Sequence, residues 1–286
     1  MISCIICSRR PDISAELKEN IATTIGCEYE LVVIDNSKNE YSIFSAYNEG
    51  VRRAKGDILC FMHEDILYHT KGWGIKVAEY FAQYPKAGLI GVAGTHYLSS
   101  IPSGWWETDC ISCYIKQGFN INGIYQFRMD DVRFYQSNPT YVVALDGVWM
   151  CMVSSMFDYI QWDEHNFSGF HGYDIDMSLQ VWNAGKEVHI IWDLLLEHKS
   201  SGCANHEFYN NCEILWKKWK NEFPIMKGVN LSIPEEKVRT KLVELNRIIR
   251  IQEDEIYRIN NICQSYAYRL CSLILTPIKK IRKWLK

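Results

Sequence analysis

Residues 58–66 read ILCFMHEDI, an apolar run that ends in three side chains able to bind a proton or a metal ion. The apolar part predicts a buried strand, and the His63-Glu64-Asp65 end predicts its tip. Open α/β sheets hold their ligands at the carboxyl tips of their strands. The stretch therefore predicts where the chemistry of this chain lies.

Two further apolar runs end in the same way. Residues 2–7 are followed by Ser8 and Arg9, and residues 30–34 are followed by Asp35. Helical patterns separate the runs, which is typical of βαβ units and of a mostly parallel sheet. Because the carboxyl ends of parallel strands share one edge, we expect these polar side chains to converge with the tip at 63–65.

Composition limits the function and the compartment. The chain has 286 residues, of which 48% are hydrophobic, enough to bury a sizeable core. Its formal net charge of −3 argues against general nucleic-acid binding. The 11 cysteines are scattered and odd in number, which is typical of reduced thiols in a cytoplasmic protein.

The pattern changes in the second part of the chain. Residues 96–138 show no long period and predict loops or an irregular insertion. Residues 142–152 form an apolar run that Asp146 and Gly147 interrupt, which indicates a segment facing a cleft.

A short helix at 174–184 and a strand at 187–192 follow this region. His198 comes after them, in what the sequence predicts to be a polar loop.

Apolar residues of the tail repeat at alternating steps of three and four, the pattern of a coiled-coil seam. The seam comprises Leu242, Leu245, Ile249, Gln252, Ile256, Ile259 and Cys263. Two interpretations stay open, namely pairing of two chains as a homodimer and packing of the helix on its own domain.

The last ten residues, 277–286, mix basic side chains with Ile, Trp and Leu. A basic amphipathic end favours peripheral contact with an anionic membrane surface, on the inner face of the cell membrane for a cytoplasmic protein. A solvated basic tail is the alternative.

The order of these segments resembles the inverting family 2 glycosyltransferases of the GT-A fold, in particular a bacterial glycosyltransferase-like branch. The carrying segments are ISCIICSRR, ELVVIDNS, AYNEGVRRAKGDILCFMHEDI, LDGVWM and FSGFHGYDIDMSLQVWNAG. The resemblance implies a Rossmann-like α/β domain over 1–225, with a mostly parallel central sheet flanked by helices. Within this domain, residues 1–95 would bind the nucleotide and residues 96–225 the acceptor. Residues 235–286 would form a helical extension after the domain.

The resemblance also implies a nucleotide-diphosphate sugar as donor and Mn²⁺ or Mg²⁺ as cofactor. The family usually has Asp-x-Asp at the tip of the third strand. Here Asp65 takes the second position, as a metal ligand, and His63 replaces the first, where it would bind the metal or the donor. His198 would complete the metal shell, as in some GT-A enzymes. The alternative for Asp65 is a turn residue.

By the same resemblance, five residues would bind the donor. Asp35 would accept a hydrogen bond from the base, with an Asx-turn as the alternative. Ser8 and Arg9 would lie along the nucleoside and diphosphate, and Asp146 and Gly147 would contact the donor sugar or the acceptor.

The family places a general base at the start of a helix, and here that position is Asp174. Tyr173 replaces the usual Glu before it. An N-cap is the alternative or additional role of Asp174. His171 and Trp106 are the expected acceptor contacts.

Together these features predict a metal-dependent, inverting glycosyltransferase that acts on a carbohydrate or lipid-linked glycan. A non-catalytic glycan-binding or scaffolding protein is the main alternative, because His63 and Tyr173 depart from the family pattern. A nucleotidyltransferase is a weaker one, because the loop at 8–11 lacks glycine.

Overall fold

The computed structural model describes residues 1–121, 124–134, 137–200 and 204–264. Its helices are α1 (Ala15–Thr24), α2 (Ile43–Arg53), α3 (Trp73–Gln83), α4 (Tyr173–Asn183), α5 (His206–Lys218) and α6 (Ile233–Gln264). Its strands are β1 (Ile2–Ser8), β2 (Tyr29–Asp35), β3 (Ile58–Met62), β4 (Ile66–Tyr68), β5 (Ala87–Gly91), β6 (Ala93–Thr95), β7 (Tyr97–Leu98), β8 (Ile111–Ile121), β9 (Ile124–Arg133), β10 (Thr140–Tyr141), β11 (Ala144–Leu145), β12 (Trp149–Val153), β13 (Glu187–Ile190), β14 (Leu196–His198) and β15 (Ile225–Met226).

The main sheet contains seven strands in the order β10-β13-β5-β12-β3-β1-β2. β1 pairs in parallel with β2 and β3, and β13 pairs in parallel with β5. β12 lies between β3 and β5 and is antiparallel to both, and β10 is antiparallel to β13. Five strands therefore run in one direction, which confirms the predicted mostly parallel α/β sheet.

The register of the parallel strands brings the predicted polar tips to one edge. Ser8 at the end of β1 aligns with Asp35 at the end of β2. His63 follows directly after β3, and its backbone N–H donates to the carbonyl oxygen of Val148 at 3.0 Å. This bond ties the tip of β3 to the turn before β12.

Helix α2 covers this part of the sheet. It begins after Ser42, whose hydroxyl accepts a hydrogen bond from the backbone N–H of Ser45. Its buried Tyr47 packs on Phe61 of β3 and on Trp162, with ring centroids 5.0 and 5.1 Å apart. Each fully buried aromatic side chain contributes about 1.5–3 kcal/mol to stability, so this face holds β3 rigidly behind its polar tip.

The prediction of loops or an irregular insertion over 96–138 is wrong for residues 111–121 and 124–133. β8 and β9 form a long antiparallel hairpin. Its paired residues run from Ser112 with Arg133 to Ile121 with Ile124. In β9, Tyr125, Phe127 and Met129 alternate with polar residues, which is the two-residue period of a strand. These three side chains are exposed, so β9 lacks the buried apolar face that makes a strand easy to recognise.

The prediction of a polar loop at His198 is also wrong. His198 ends β14, which is antiparallel to β4 and parallel to β8 within a second sheet of six strands. Its side chain is buried. A strand of three residues is too short to show a period in the sequence, and its partners come from distant parts of the chain.

Helix α6 packs against the rest of the chain along one face. Val243 is buried, the Asn246 amide donates to the Glu107 carbonyl oxygen at 3.0 Å, and the Thr240 and Tyr97 hydroxyls lie 2.8 Å apart. The predicted basic membrane-binding segment at 277–286 lies outside the described residues. Within the described ranges, no helix combines the length and the apolar character that crossing a bilayer requires.

Candidate functional site

Three side chains meet where the tip of β3 faces the end of β14. The His63 Nδ1 and His198 Nε2 atoms lie 3.4 Å apart. An Asp65 carboxylate oxygen lies 3.6 Å from His198 Nε2 and 4.0 Å from His63 Nδ1. We call the cluster of His63, Asp65 and His198 the triad. It brings together the two predicted metal ligands, Asp65 and His198, and the predicted donor contact His63.

The second ring nitrogen of each triad histidine has a partner of its own. His198 Nδ1 lies 3.2 Å from the Gln117 side-chain oxygen on β8, and His63 Nε2 lies 2.9 Å from the Tyr173 hydroxyl. An amide oxygen only accepts, so His198 Nδ1 carries the proton and its Nε2 presents a lone pair to the triad. For His63 Nδ1 to bind a metal, its Nε2 must carry the proton and donate it to Tyr173.

The electrostatics of the triad suit a cation. Burial lowers the pKa of both His63 and His198, so both imidazoles stay neutral and able to ligate. Burial alone would raise the pKa of Asp65, but His198, the Ser200 hydroxyl and His63 outweigh it and lower that pKa. The carboxylate is therefore ionised.

The donor set fits a transition-metal ion better than Mg²⁺. Ligand atoms of one such ion lie roughly 3–4 Å apart, which matches the separations within the triad. Two imidazoles and one carboxylate suit Mn²⁺, whereas Mg²⁺ prefers oxygen ligands. The three residues come from two strand ends, so other coordination positions can face the cleft.

Asp174, in the first turn of α4, lies next to the triad partner Tyr173. Its two carboxylate oxygens accept the backbone N–H groups of Gly147 at 3.2 Å and of Ile175 at 2.9 Å. Burial, and then the nearby charge of Asp146, raise the pKa of Asp174 to about 7. A carboxylate with that pKa, held by two backbone donors, can accept a proton near neutral pH.

The turn between β11 and β12 is shaped to admit Tyr173. A Cβ atom at Gly147 would lie 2.1 Å from the Tyr173 hydroxyl oxygen, so only glycine leaves room for it there. Asp146, in the same turn, caps the backbone N–H of Val148 at 2.7 Å, and burial raises its pKa. The interruption predicted at Asp146 and Gly147 thus adjoins both the triad and Asp174.

Residues 1–223 match the model of a family described as a glycosyltransferase-like family. The chain belongs to this family. The structure also has the GT-A arrangement of a mixed central sheet flanked by helices, with the helical extension α6 after it.

Three proteins illustrate the relationship of this family member to known proteins. Streptomycin biosynthesis protein StrF of Streptomyces griseus is 23% identical over 187 residues, which are 63% of this chain and 62% of StrF. GalNAc-T7, crystallised with UDP, GalNAc and Mn²⁺, gives a TM-score of 0.51 at 11% identity, covering 86% of this chain and 55% of its own. Mannosyltransferase PcManGT of Pyrobaculum calidifontis, in complex with GDP-Man and Mn²⁺, gives 0.50 at 9% identity, covering 96% and 84%.

The chain spans less than two thirds of the length of StrF and of GalNAc-T7. At 9–11% identity, the two structural likenesses show the GT-A fold alone. The function of this glycosyltransferase-like protein must therefore follow from its own residues.

The predicted donor residues Ser8 and Arg9 are held by Glu64. The Ser8 hydroxyl donates to the Glu64 carboxylate at 2.7 Å, and the Arg9 backbone N–H donates to it at 3.1 Å. The Glu64 side chain therefore points towards the loop after β1. Glu64 thus couples that loop to the triad.

Asp35 shares the binding edge with Ser8 but touches no triad residue in the described contacts. Its carboxylate accepts the backbone N–H of Ser37 at 2.9 Å, which is an Asx-turn, and it is exposed. The turn was the alternative role, and hydrogen bonds from the Ser37 backbone and side chain lower the pKa of Asp35.

The predicted acceptor residues lie together on a separate aromatic cluster. The rings of His171 and of the exposed Trp106 pack on Phe208 of α5, with centroids 5.4 and 5.1 Å away. The Asn211 amide of α5 donates to the carbonyl oxygens of Ser168 and His171, which fixes the loop before α4. This cluster therefore borders the same helix start that carries Asp174.

Sequence reasoning missed Gln117 and the partner role of Tyr173. Gln117 lies in the hairpin strand that was not predicted, 81 residues from His198, and no local pattern marks it. Tyr173 could have been found from the sequence, because Tyr173 and His63 each stand where the family usually has a carboxylate. These two residues, which both depart from the family pattern, hydrogen-bond to each other.

Proposed function

We propose that the chain transfers a sugar from a nucleoside-diphosphate sugar to a hydroxyl of a carbohydrate or lipid-linked glycan, with inversion at the anomeric carbon. The observation that carries this proposal is the triad, in which His63 hydrogen-bonds to Tyr173, the residue before Asp174. A cation site beside a carboxylate with a pKa of about 7 suits diphosphate departure and hydroxyl deprotonation at one place.

Asp174 acts as the general base. Its carboxylate takes the proton of the acceptor hydroxyl while that oxygen forms a bond to the anomeric carbon. The bond from that carbon to the diphosphate oxygen breaks, and the diphosphate leaves with its electron pair. One displacement of this kind inverts the configuration, and no covalent enzyme intermediate forms.

His63, Asp65 and His198 would hold the divalent cation. When bound, the cation supplies charge stabilisation for the leaving diphosphate. Gln117 and Tyr173 keep the two imidazoles in the tautomers that expose Nε2 and Nδ1, respectively, to the triad. The donor set favours Mn²⁺ over Mg²⁺.

The donor lies along the edge from Asp35 to Asp65. The loop after β1, held by Glu64, presents Ser8 and Arg9 to the nucleoside and diphosphate, and Arg9 is exposed and charged. PcManGT was solved with GDP-Man and GalNAc-T7 with UDP, which supports a nucleotide donor of this class.

The acceptor lies on the other side of the cleft. Asp146 and Gly147 contact the donor sugar or the acceptor next to Asp174. Trp106 and His171 offer apolar ring faces, which suit the faces of sugar rings.

Release of nucleoside diphosphate tests the proposal. Purified chain is incubated with UDP- and GDP-sugars and Mn²⁺, and free UDP or GDP is measured against Asp174→Asn. The exposed Asp158→Asn makes the same chemical change away from the site and serves as the control. We expect release with at least one donor from the parent and the control, and strongly reduced release from Asp174→Asn. Equal release from all three would overturn the role of Asp174.

The scaffold alternative rested on the His63 and Tyr173 departures from the family pattern. Since these residues hydrogen-bond at 2.9 Å and the triad includes His63, the departures favour an altered metal site over a lost one. Absence of nucleoside diphosphate release with every donor would restore the alternative.

We further propose that the chain works in the cytoplasm, on the inner face of the cell membrane. The support is the basic, Trp-containing segment 277–286, because such segments bind anionic lipid. Co-sedimentation with phosphatidylserine vesicles, but not with neutral ones, is expected from the full chain. Equal sedimentation of a chain ending at residue 276 would contradict it.

A further inference from the structure

Helix α6 has two faces of different character. One face packs on the rest of the chain through Arg239, Thr240, Val243, Asn246 and Arg247. The predicted seam lies on nearly the opposite face, since each residue turns a helix by about 100°. The seam therefore does not serve to pack the helix on its own domain, which was one of the two interpretations of the sequence.

The seam is exposed along its length. Its apolar side chains are exposed by 37% at Leu242, 46% at Leu245, 51% at Ile249, 58% at Ile256 and 59% at Ile259. A row of large apolar side chains at this exposure favours burial against a partner. The spacing of 3.5 residues suits another helix of the same repeat, because knobs of one helix fill holes of the other.

We propose that the seam binds the seam of a second copy of this chain, with the two helices antiparallel. In this pairing Leu245 packs against Ile249 of the partner subunit, and by symmetry Ile249 packs against Leu245 of the partner subunit. Val238, which lies four residues before Leu242 and is exposed, extends the seam and pairs with Ile256 of the partner subunit in the outer layers. The polar Gln252 falls in an intermediate layer opposite Leu242 of the partner subunit.

Charges beside the seam select this orientation. Lys241 and Glu255 flank the seam on the same side, and both side chains are exposed. Within the helix Lys241 forms an exposed ion pair with Glu244, which the pairing of two chains would exchange or share. The antiparallel pairing places Lys241 opposite Glu255 of the partner subunit, and symmetry forms the pair twice. A parallel pairing would instead place Lys241 opposite Asn246, and Glu255 opposite Asn260, of the partner subunit, with no ion pair on this flank. Charge complementarity thus favours the antiparallel dimer.

Sedimentation velocity of the full chain over a range of concentrations tests the pairing. We expect the parent to sediment as a dimer and Ile249→Asp, which places a charge at the central layer, to sediment as a monomer. Ile249 is exposed in the single chain, so this change leaves the domain folded, as a thermal melt will show. None of these residues belongs to the candidate site, so the result does not depend on activity.

A charge swap tests the orientation. Lys241→Glu and Glu255→Lys, each alone, should weaken the dimer about tenfold, because each replaces two attractive pairs by two repulsive ones. The double variant should restore the parent affinity. Lys237→Glu, an identical charge change at an exposed position off the seam, is the matched control and should change nothing.

Three outcomes would overturn the proposal. A parent that stays monomeric at all concentrations shows that the seam has another occupant. A dimer that survives Ile249→Asp forms through another surface. Single charge variants without effect, or a double variant that is not rescued, exclude the antiparallel register.

Discussion

Asp174 holds a carboxyl group between two backbone N–H groups while the charge of Asp146 lies nearby. Because its pKa is about 7, the rate of glycosyl transfer should rise about tenfold per pH unit below pH 7 and level off above it. Asp174→Asn should lower the rate by about 10²–10⁴-fold and remove this pH dependence. Initial rates of nucleoside diphosphate release across pH 5–9 check both expectations. A parent rate that is flat across pH 7 would contradict the assignment.

Asp174 should also affect the stability of the fold, and this effect should decrease with rising pH, whereas the reaction rate should increase. The folded-state pKa of Asp174 lies above its ordinary value of 3.8, so the folded chain holds a proton that the unfolded chain releases. Its contribution to the free energy of unfolding therefore falls as the pH rises through about 7. Asp174→Asn should raise that free energy by roughly 1–3 kcal/mol above pH 7, and by less at lower pH. Urea unfolding of the metal-free chain at two pH values measures it, and equal stabilisation at both would refute the linkage.

Tyr173 should control metal affinity without touching the metal. Tyr173→Phe removes the hydroxyl that accepts the proton of His63 Nε2, so the tautomer that exposes Nδ1 is no longer favoured. Affinity for Mn²⁺, measured by electron paramagnetic resonance of the free ion, should fall about 10–100-fold. Tyr209→Phe removes another buried hydroxyl, bonded to Glu107, and should leave the affinity unchanged. In a His63→Ala background the change at Tyr173 should have no further effect.

At the scale of single residues, the sequence predicted the members of the triad better than their hydrogen-bond partners. Asp65 and His63 were predictable because an apolar strand ends in them, and His198 because the resemblance implies a histidine in this region, as in some GT-A enzymes. Gln117 was not predictable, since it meets His198 only through pairing of β8 with β14.

The turn between β11 and β12 is the element that connects the triad to the base. Gly147→Ala would place a methyl group 2.1 Å from the Tyr173 hydroxyl, and the ring must move away from His63. We expect Mn²⁺ affinity and turnover both to fall about tenfold or more, because the hydrogen bond that orients His63 is lost. Metal titration and nucleotide release measure the two effects. In a Tyr173→Ala background, Gly147→Ala should cause no further fall in Mn²⁺ affinity or turnover. A further fall in that background would show that Gly147→Ala acts through the backbone of the turn instead.

Strands formed by long apolar runs were predicted well, and strands without such a run were not. β1, β2 and β3 are apolar runs inside the main sheet, and each was recognised within one or two residues of its ends. The hairpin of β8 and β9 exposes Tyr125, Phe127 and Met129 and was taken for loops. The direction of β12 was also beyond the sequence, because an apolar run does not reveal which way a strand runs.

On the scale of the whole chain, α6 is attached through few residues. Val243 is buried at the contact, so Val243→Asp would bury a charge there or release the first half of the helix. We expect release, seen as new cleavage by a protease within 233–264 while residues 1–223 stay protected. Ile251→Asp, at an exposed position of the same helix, should leave the digestion pattern unchanged. Early loss of the whole chain to protease would show instead that α6 is part of the core.

The triad joins residues 63, 65 and 198, and the strand that completes the centre of the sheet is β12, which ends at Val153. A ribosome must therefore synthesise more than two thirds of the chain before the third member of the triad exists. The cation proposed for this site therefore has no complete site during the early stages of folding. The proposed metal dependence thus predicts that metal starvation leaves cells with folded but inactive protein rather than with aggregates.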